Sequence, residues 1–137
     1  ESLAPRTPYK NDISVLPSKV PQLLVEVETL VGQAYPGWEI VWFGHIGDGN
    51  LHLNILKPEN LEKSEFFEAC HRVTHDVSAI VQSFGGSISA EHGVGLLKRD
   101  YLSYARTPLE IQMMRGIKAV FDPKGLLNPG KIFSSSN

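Results

Sequence analysis

Cysteine is almost absent. Cys70 stands alone among 137 residues, which excludes an internal disulfide and suits a reducing compartment. Long apolar runs are missing as well: no stretch approaches the roughly 20 residues of a membrane span. No secretory signal marks the start, so the expected location is the cytoplasm or an organellar matrix, not the exterior. Charge of one sign is not in excess. The formal net charge is −2 and no dense Lys/Arg block occurs, which argues against a nucleic-acid partner. There is no low-complexity segment and no opening methionine, and the polar, Pro-containing start suggests a piece of something longer. What remains is ordinary for a globular domain, with 42% apolar and 20% charged residues, enough for one core.

Residues 1–9 contain Pro5 and Pro8 and read as an arm or linker. Lys10 to Leu16 alternates around Ile13 and suggests a short strand. Ser18 offers an N-cap and Pro21 a first-turn proline. Val20, Leu23, Leu24, Val27, Leu30, Val31 and Ala34 then recur at helical spacing, so 19–34 should be an amphipathic helix. Residues 38–46 and 50–57 alternate as the two arms of a hairpin, with Ile40, Trp42, Leu51, Leu53 and Ile55 on one face. Phe66, Phe67, Cys70, Val73, Val77, Ile80, Val81 and Phe84 mark a second long helix, closed by Gly85-Gly86. Ser87–Ala90 is a fourth strand candidate, and part of 95–105 should be helical. Thr107-Pro108-Leu109-Glu110 has the form of a capping box with Pro at the first helical position. Leu109, Met113, Met114, Ile117, Val120 and Phe121 form the stripe of the helix that follows. Up to residue 90 the order is β-α-β-β-α-β. That predicts an α+β, ferredoxin-like antiparallel sheet covered by two helices, followed by a helical C-terminal extension.

The chemistry gathers around Gly44-His45-Ile46-Gly47-Asp48-Gly49-Asn50-Leu51-His52. Asp48-Gly49 reads as the centre of a two-residue type I′ turn. That register sets His45 opposite His52, with Cβ atoms roughly 5 Å apart. Two imidazoles so placed can share a metal ion, although the hairpin alone leaves a plain polar pair equally open. Glu91, at the next strand end and bracketed by small residues, is the candidate third ligand. A His₂-carboxylate set leaves positions open for water or substrate. His92 follows directly and should point away from Glu91, which casts it as a general base or substrate contact or, equally, as a solvent-facing loop residue. Asn54 shares the histidine face and could donate to a bound carboxylate or hydroxyl. Lys10 could reach an anionic substrate from the same sheet, although solvent is the default for it and for Arg6. His71 and His75 read as a solvated helix face, and Cys70 as an inert core thiol. Neither Gly47-Asp48-Gly49 nor Gly93-Val94-Gly95 is a dinucleotide fingerprint.

Three motifs in order, GHIGDGNLHLNIL (44–56), ISAEHGVGLLKRDYL (88–102) and AVFDPKGLLNPGKIF (119–133), resemble the C-terminal part of FAD-linked 2-hydroxyacid dehydrogenases. These are flavoproteins of the vanillyl-alcohol-oxidase type that act on D-lactate, glycolate or D-2-hydroxyglutarate; YKNDISVLP (9–17) looks most like the last branch. The resemblance implies that His45, His52 and Glu91 hold a divalent metal, zinc or manganese. It implies that His92 takes the hydroxyl proton as hydride passes from substrate C2 to FAD. Lys10 and Asn54 would bind oxygens of the small 2-hydroxy acid, and Asn128, in the Asn-Pro-Gly-Lys turn, would lie near the flavin ring. It further implies that 10–90 is part of a substrate or cap domain, and that 91–137 carries an active-site loop and the helical return towards an absent FAD domain. Surfaces left bare by that absence would favour homo-oligomers. The competing expectation is a stand-alone ferredoxin-like module that binds a metal or small anion without redox chemistry.

Overall fold

The computed structural model describes residues 8–134; Arg6 and the rest of 1–7 lie outside the described residues. The order is β1 (Pro8–Ser14), a 3-10 turn (Pro17–Lys19), α1 (Val20–Ala34), β2 (Glu39–His45), β3 (Asn50–Leu56), α2 (Lys63–Ser83), a second 3-10 turn (Arg99–Tyr104) and α3 (Pro108–Phe121). Pro8 and Tyr9, expected in the arm, are already strand. Ser18 does not cap α1. It lies inside the first 3-10 turn, where Pro17 starts the winding early, and Lys19 takes the cap position with no side-chain bond.

The sheet is three-stranded and antiparallel, in the order β1-β3-β2. One face buries Ile13, Leu51, Leu53 and Ile55 against Val20, Leu23, Val27 and Val31 of α1 and Phe66, Cys70, Val73, Val77 and Val81 of α2. Each such side chain contributes roughly 1.5–3 kcal/mol when fully buried. Within that core, burial pushes the Cys70 thiol up to about 12, so it is inert near neutral pH. The α2 helix ends in a Schellman motif: the Gly86 N–H donates to Val81 O and the Gly85 N–H to Gln82 O, with Gly85 at φ 68°.

The fourth strand expected over 87–90 is absent among the described residues. A single bridge, Ser14↔Ser87, replaces it on the outer edge of β1. The backbone groups beyond it are spent elsewhere. The Ser87 hydroxyl bonds both the carbonyl and the N–H of Ser89, and the next three N–H groups turn to a carboxylate described below. Side-chain acceptors, one local and one distant in sequence, have outcompeted a strand ladder.

The hairpin also differs from its expected form. A type I′ turn needs φ > 0 at both central residues, and Asp48 is not among the residues with positive φ. Instead its Oδ1 accepts the Asn50 N–H at 3.1 Å, an Asx turn, and residues 46–49 form a four-residue loop. Gly49, at φ 72°, sits so close to β1 that an added Cβ would collide with the Val15 carbonyl oxygen. His45 therefore faces Asn50, and Phe43 faces His52. The offset is even, so every side chain keeps its expected face.

After α2 the chain is less covered. Thr107 and Glu110 complete the expected capping box of α3, but the stripe behind it faces outward, with Leu109, Met113, Ile117, Val120 and Phe121 each at least 60% exposed. Among the described residues no helix is long and apolar enough to cross a membrane.

Gly49→Ala should lose roughly 1–3 kcal/mol in urea unfolding, because both its φ and its contact with Val15 forbid a side chain. Gly47→Ala, with nothing within 4 Å of the new methyl, should change stability by less than about 0.5 kcal/mol. Equal losses at the two glycines would contradict the four-residue loop.

Candidate active site on the open face of the sheet

The face of the sheet away from α1 and α2 carries Lys10 and Asp12 from β1, His52 and Asn54 from β3, and Val41, Phe43 and His45 from β2. Lys10 pairs with Asn54 and Asp12 with His52 across the β1–β3 ladder. Of these, Lys10, Asp12, His52, Asn54 and Phe43, with Glu91, His92 and Lys98 from the loop after α2, line a cleft of about 690 Å³.

Asp12 is the hub. It is 7% exposed, and its Oδ2 accepts the backbone N–H groups of Ala90, Glu91 and His92 at 3.1, 3.2 and 3.2 Å. The His92 ring approaches the same oxygen through Nδ1 at 3.0 Å. The other oxygen, Oδ1, is buried without a hydrogen bond and faces His52 Nδ1 at 3.4 Å. Lys98 donates to the carbonyls of Asp12 and Ile88 at 3.0 and 2.8 Å, with its ammonium 3.7 Å from Asp12 Oδ2. Burial pushes the Asp12 carboxyl up. The His92 N–H and ring, the Glu91 N–H and the Lys98 charge outweigh it and hold the group below the ordinary aspartate value of 3.8. Burial lowers the Lys98 ammonium, against the opposing pull of Asp12.

The two histidines of the cleft share this carboxylate and turn their far nitrogens the same way. His52 Nε2 is 3.4 Å from Glu91 Oε1 and His92 Nε2 is 3.9 Å from it, with ring centroids 5.6 Å apart. The expected divergence of Glu91 and His92 does not occur. Three successive N–H groups wrapped on one oxygen bend the backbone enough to bring both side chains to one place. Asp12, His52 and His92 also offer three ligand atoms within 4.8 Å of one another.

The remaining expected residues divide. Lys10 and Asn54 line the cleft; the Asn54 amide makes only long contacts of 3.4 Å, to the carbonyls of Val41 and His52. His45 is not with the others. Its side chain is 76% exposed, with Nδ1 3.8 Å from Asp48 Oδ2, because the longer loop carries it past His52. Asn128 is exposed, at φ 47°, and borders a separate hollow with Arg115, Lys118 and Lys131. His71 and His75 are exposed beside Tyr9 and Tyr104. Sequence reasoning missed Asp12, Lys98 and Phe43. For Asp12 a signal existed: an acidic residue interrupts a strand, where aspartate is disfavoured, on the face that Lys10 occupies.

Comparison with known proteins matches residues 4–132 to the family described as FAD linked oxidases, C-terminal domain. A D-2-hydroxyglutarate dehydrogenase of Stutzerimonas stutzeri (strain A1501) is 61% identical over 98% of this chain and 29% of its own length. A mitochondrial D-2-hydroxyglutarate dehydrogenase of Danio rerio is 41% identical over 90% of this chain and 22% of its own. A D-lactate dehydrogenase of Anaerostipes hadrus is 39% identical over 88% and 25%. The chain thus spans less than a third of the length of these relatives.

Because Asp12 titrates lower folded than unfolded, the stability it contributes is full above its ordinary value of 3.8 and is lost as pH falls below that. The urea midpoint of the wild-type chain should exceed that of Asp12→Asn near neutrality, with the gap closing in acid. Parallel profiles down to the acid limb would contradict the anchoring role.

Proposed function

This chain belongs to the family of FAD linked oxidases through their C-terminal domain, and from that membership we propose that it is the substrate-side part of a flavin-dependent D-2-hydroxyacid dehydrogenase. The observation that carries the proposal is the convergence of His52 Nε2 and His92 Nε2 on Glu91 at the floor of an open cleft. The names of the relatives support a 2-hydroxy acid such as D-2-hydroxyglutarate or D-lactate.

The donor set fits a divalent ion. His52 and Glu91 supply one imidazole nitrogen and one carboxylate with room beside them, the composition of open catalytic sites for zinc or manganese. Asp12 backs the imidazole as such sites require. His45, on the same face of the sheet, is the third residue we assign to the ion. When bound, the flavin supplies the hydride acceptor and the ion supplies Lewis-acid polarisation at the substrate hydroxyl.

This chain's residues then have separate tasks. His92 Nε2 takes the hydroxyl proton as the 2-hydroxy acid becomes the 2-oxo acid, and Asp12 stabilises the charge that the ring gains. The Lys10 ammonium and the Asn54 amide, neighbours across the ladder, hold the substrate carboxylate. Phe43 covers one side of the cleft and helps exclude water. Flavin contacts on this chain reduce to Asn128, so the flavin is held mainly by the part of the longer protein outside this chain. The bare stripe of α3 is the surface we assign to that part. In architecture we read the sheet, with its bridge at Ser87, as a ferredoxin-like arrangement with a shortened fourth strand.

The test uses the full-length protein with FAD. Under anaerobic conditions a D-2-hydroxy acid should bleach the oxidised-flavin absorbance, and His92→Ala should slow that step by roughly 10²–10⁴-fold. His52→Ala and Glu91→Ala should strip zinc or manganese, as measured by elemental analysis. No bleaching with D-2-hydroxyglutarate, D-lactate or glycolate would overturn the dehydrogenase reading in favour of a metal- or anion-binding module.

A further inference from the structure

Asp12 presents two chemically different oxygens to one site. Oδ2 is saturated by three backbone N–H groups and the His92 ring. Oδ1 is buried without a hydrogen bond, and the histidine nitrogen facing it is His52 Nδ1, 3.4 Å away. The placement is built into the sheet, since Asp12 and His52 are direct cross-strand partners. A carboxylate so committed is a poor metal ligand, because binding a cation through Oδ2 would strip the loop of its anchor.

An ionised carboxylate only accepts. Any imidazole nitrogen that bonds to it must therefore carry the proton. The rule sets Nδ1–H on the His92 ring, and the unpartnered Oδ1 beside His52 Nδ1 favours the same tautomer there; in each neutral ring Nε2 is then bare towards the cleft. The two Nε2 atoms lie 3.4 and 3.9 Å from Glu91 Oε1, beside the cleft that His52, Glu91 and His92 line. One ring is thereby prepared to ligate and the other to take a proton, both oriented by one group. Three backbone N–H donors on Oδ2 favour the carboxylate over the acid.

We propose that Asp12 is the positioning residue of this centre, its two carboxylate oxygens receiving the Nδ1–H of His52 and of His92 so that both rings offer an unprotonated Nε2 beside Glu91. Only the kinetic arm of the test rests on the dehydrogenase reading; the tautomer assignment does not. Lys98 completes the device: its ammonium ties the Asp12 and Ile88 carbonyls together and stands beside Oδ2.

The direct test is nitrogen NMR of the metal-free, full-length protein with labelled histidine, with the two rings assigned through His52→Gln and His92→Gln. Wild type should show His52 and His92 as the Nδ1–H tautomer, the less favoured form of free imidazole. In Asp12→Ala both should lose that preference. In Asp12→Asn, whose amide offers one acceptor and one donor, at least one ring should switch. In the FAD- and metal-loaded protein, Asp12→Asn should lower kcat by about 10–100-fold and weaken metal binding by a similar factor, with KM moving far less. Wild-type rings in the Nε2–H form, or tautomers unaltered in Asp12→Ala, would overturn the proposal. So would a rise in KM at unchanged kcat. Should both variants fail to fold, the wild-type spectrum alone decides. The assigned tautomers in a protein that bleaches with no 2-hydroxy acid would support the positioning role while contradicting the dehydrogenase reading.

Discussion

The Asp12 carboxylate joins two parts of the chain that share no strand ladder beyond Ser14↔Ser87. Three N–H groups of the loop after α2 close on one of its oxygens, and that closure holds Glu91 and His92 beside His52 of β3. Charge-assisted bonds of this kind are roughly twice as strong as neutral ones, and here they lie in a buried place where competing water is scarce. The loop thus has a fixed shape even though Glu91 and His92 are themselves exposed. The anchor also explains why the fourth strand is only a bridge: the same amides cannot serve both a ladder and a carboxylate.

Much of this was legible in the sequence where periodicity decided the matter. The stripe from Val20 to Val31 and that from Phe66 to Val81 point to the core as read, and Thr107 to Glu110 forms the cap its residue types announce. The hairpin was legible in its faces but not in its register. Asp48-Gly49 is a strong local signal for a two-residue turn. The local bond from the Asn50 N–H to Asp48 and the tertiary approach of Gly49 to Val15 outweighed it. Because the error is even, His52 and Asn54 stayed on the correct face while His45 moved beyond the cleft. Glu91 and His92 were singled out from small neighbours and the motif, but their convergence needed Asp12, some 80 residues away, and no local pattern reports such a contact.

Leu109, Met113, Ile117, Val120 and Phe121 lie in a row at the surface, an arrangement suited to burial against another part of a longer protein. Relatives that are more than three times as long fit that geometry. On the proposed reading the cleft would supply general base, carboxylate contacts and ligand atoms, and the flavin would be held by another part of the longer protein.

In the proposed centre Asp12 is the scaffold, and the ligand atoms come from His45, His52 and Glu91. The most direct measurement is anomalous diffraction at the metal absorption edge from crystals of the longer, metal-loaded protein. The account predicts one peak bonded to His52 Nε2, Glu91 and His45, with Asp12 outside the coordination sphere and still holding the three loop amides. A peak bonded to either Asp12 oxygen, or one away from this face of the sheet, would contradict it.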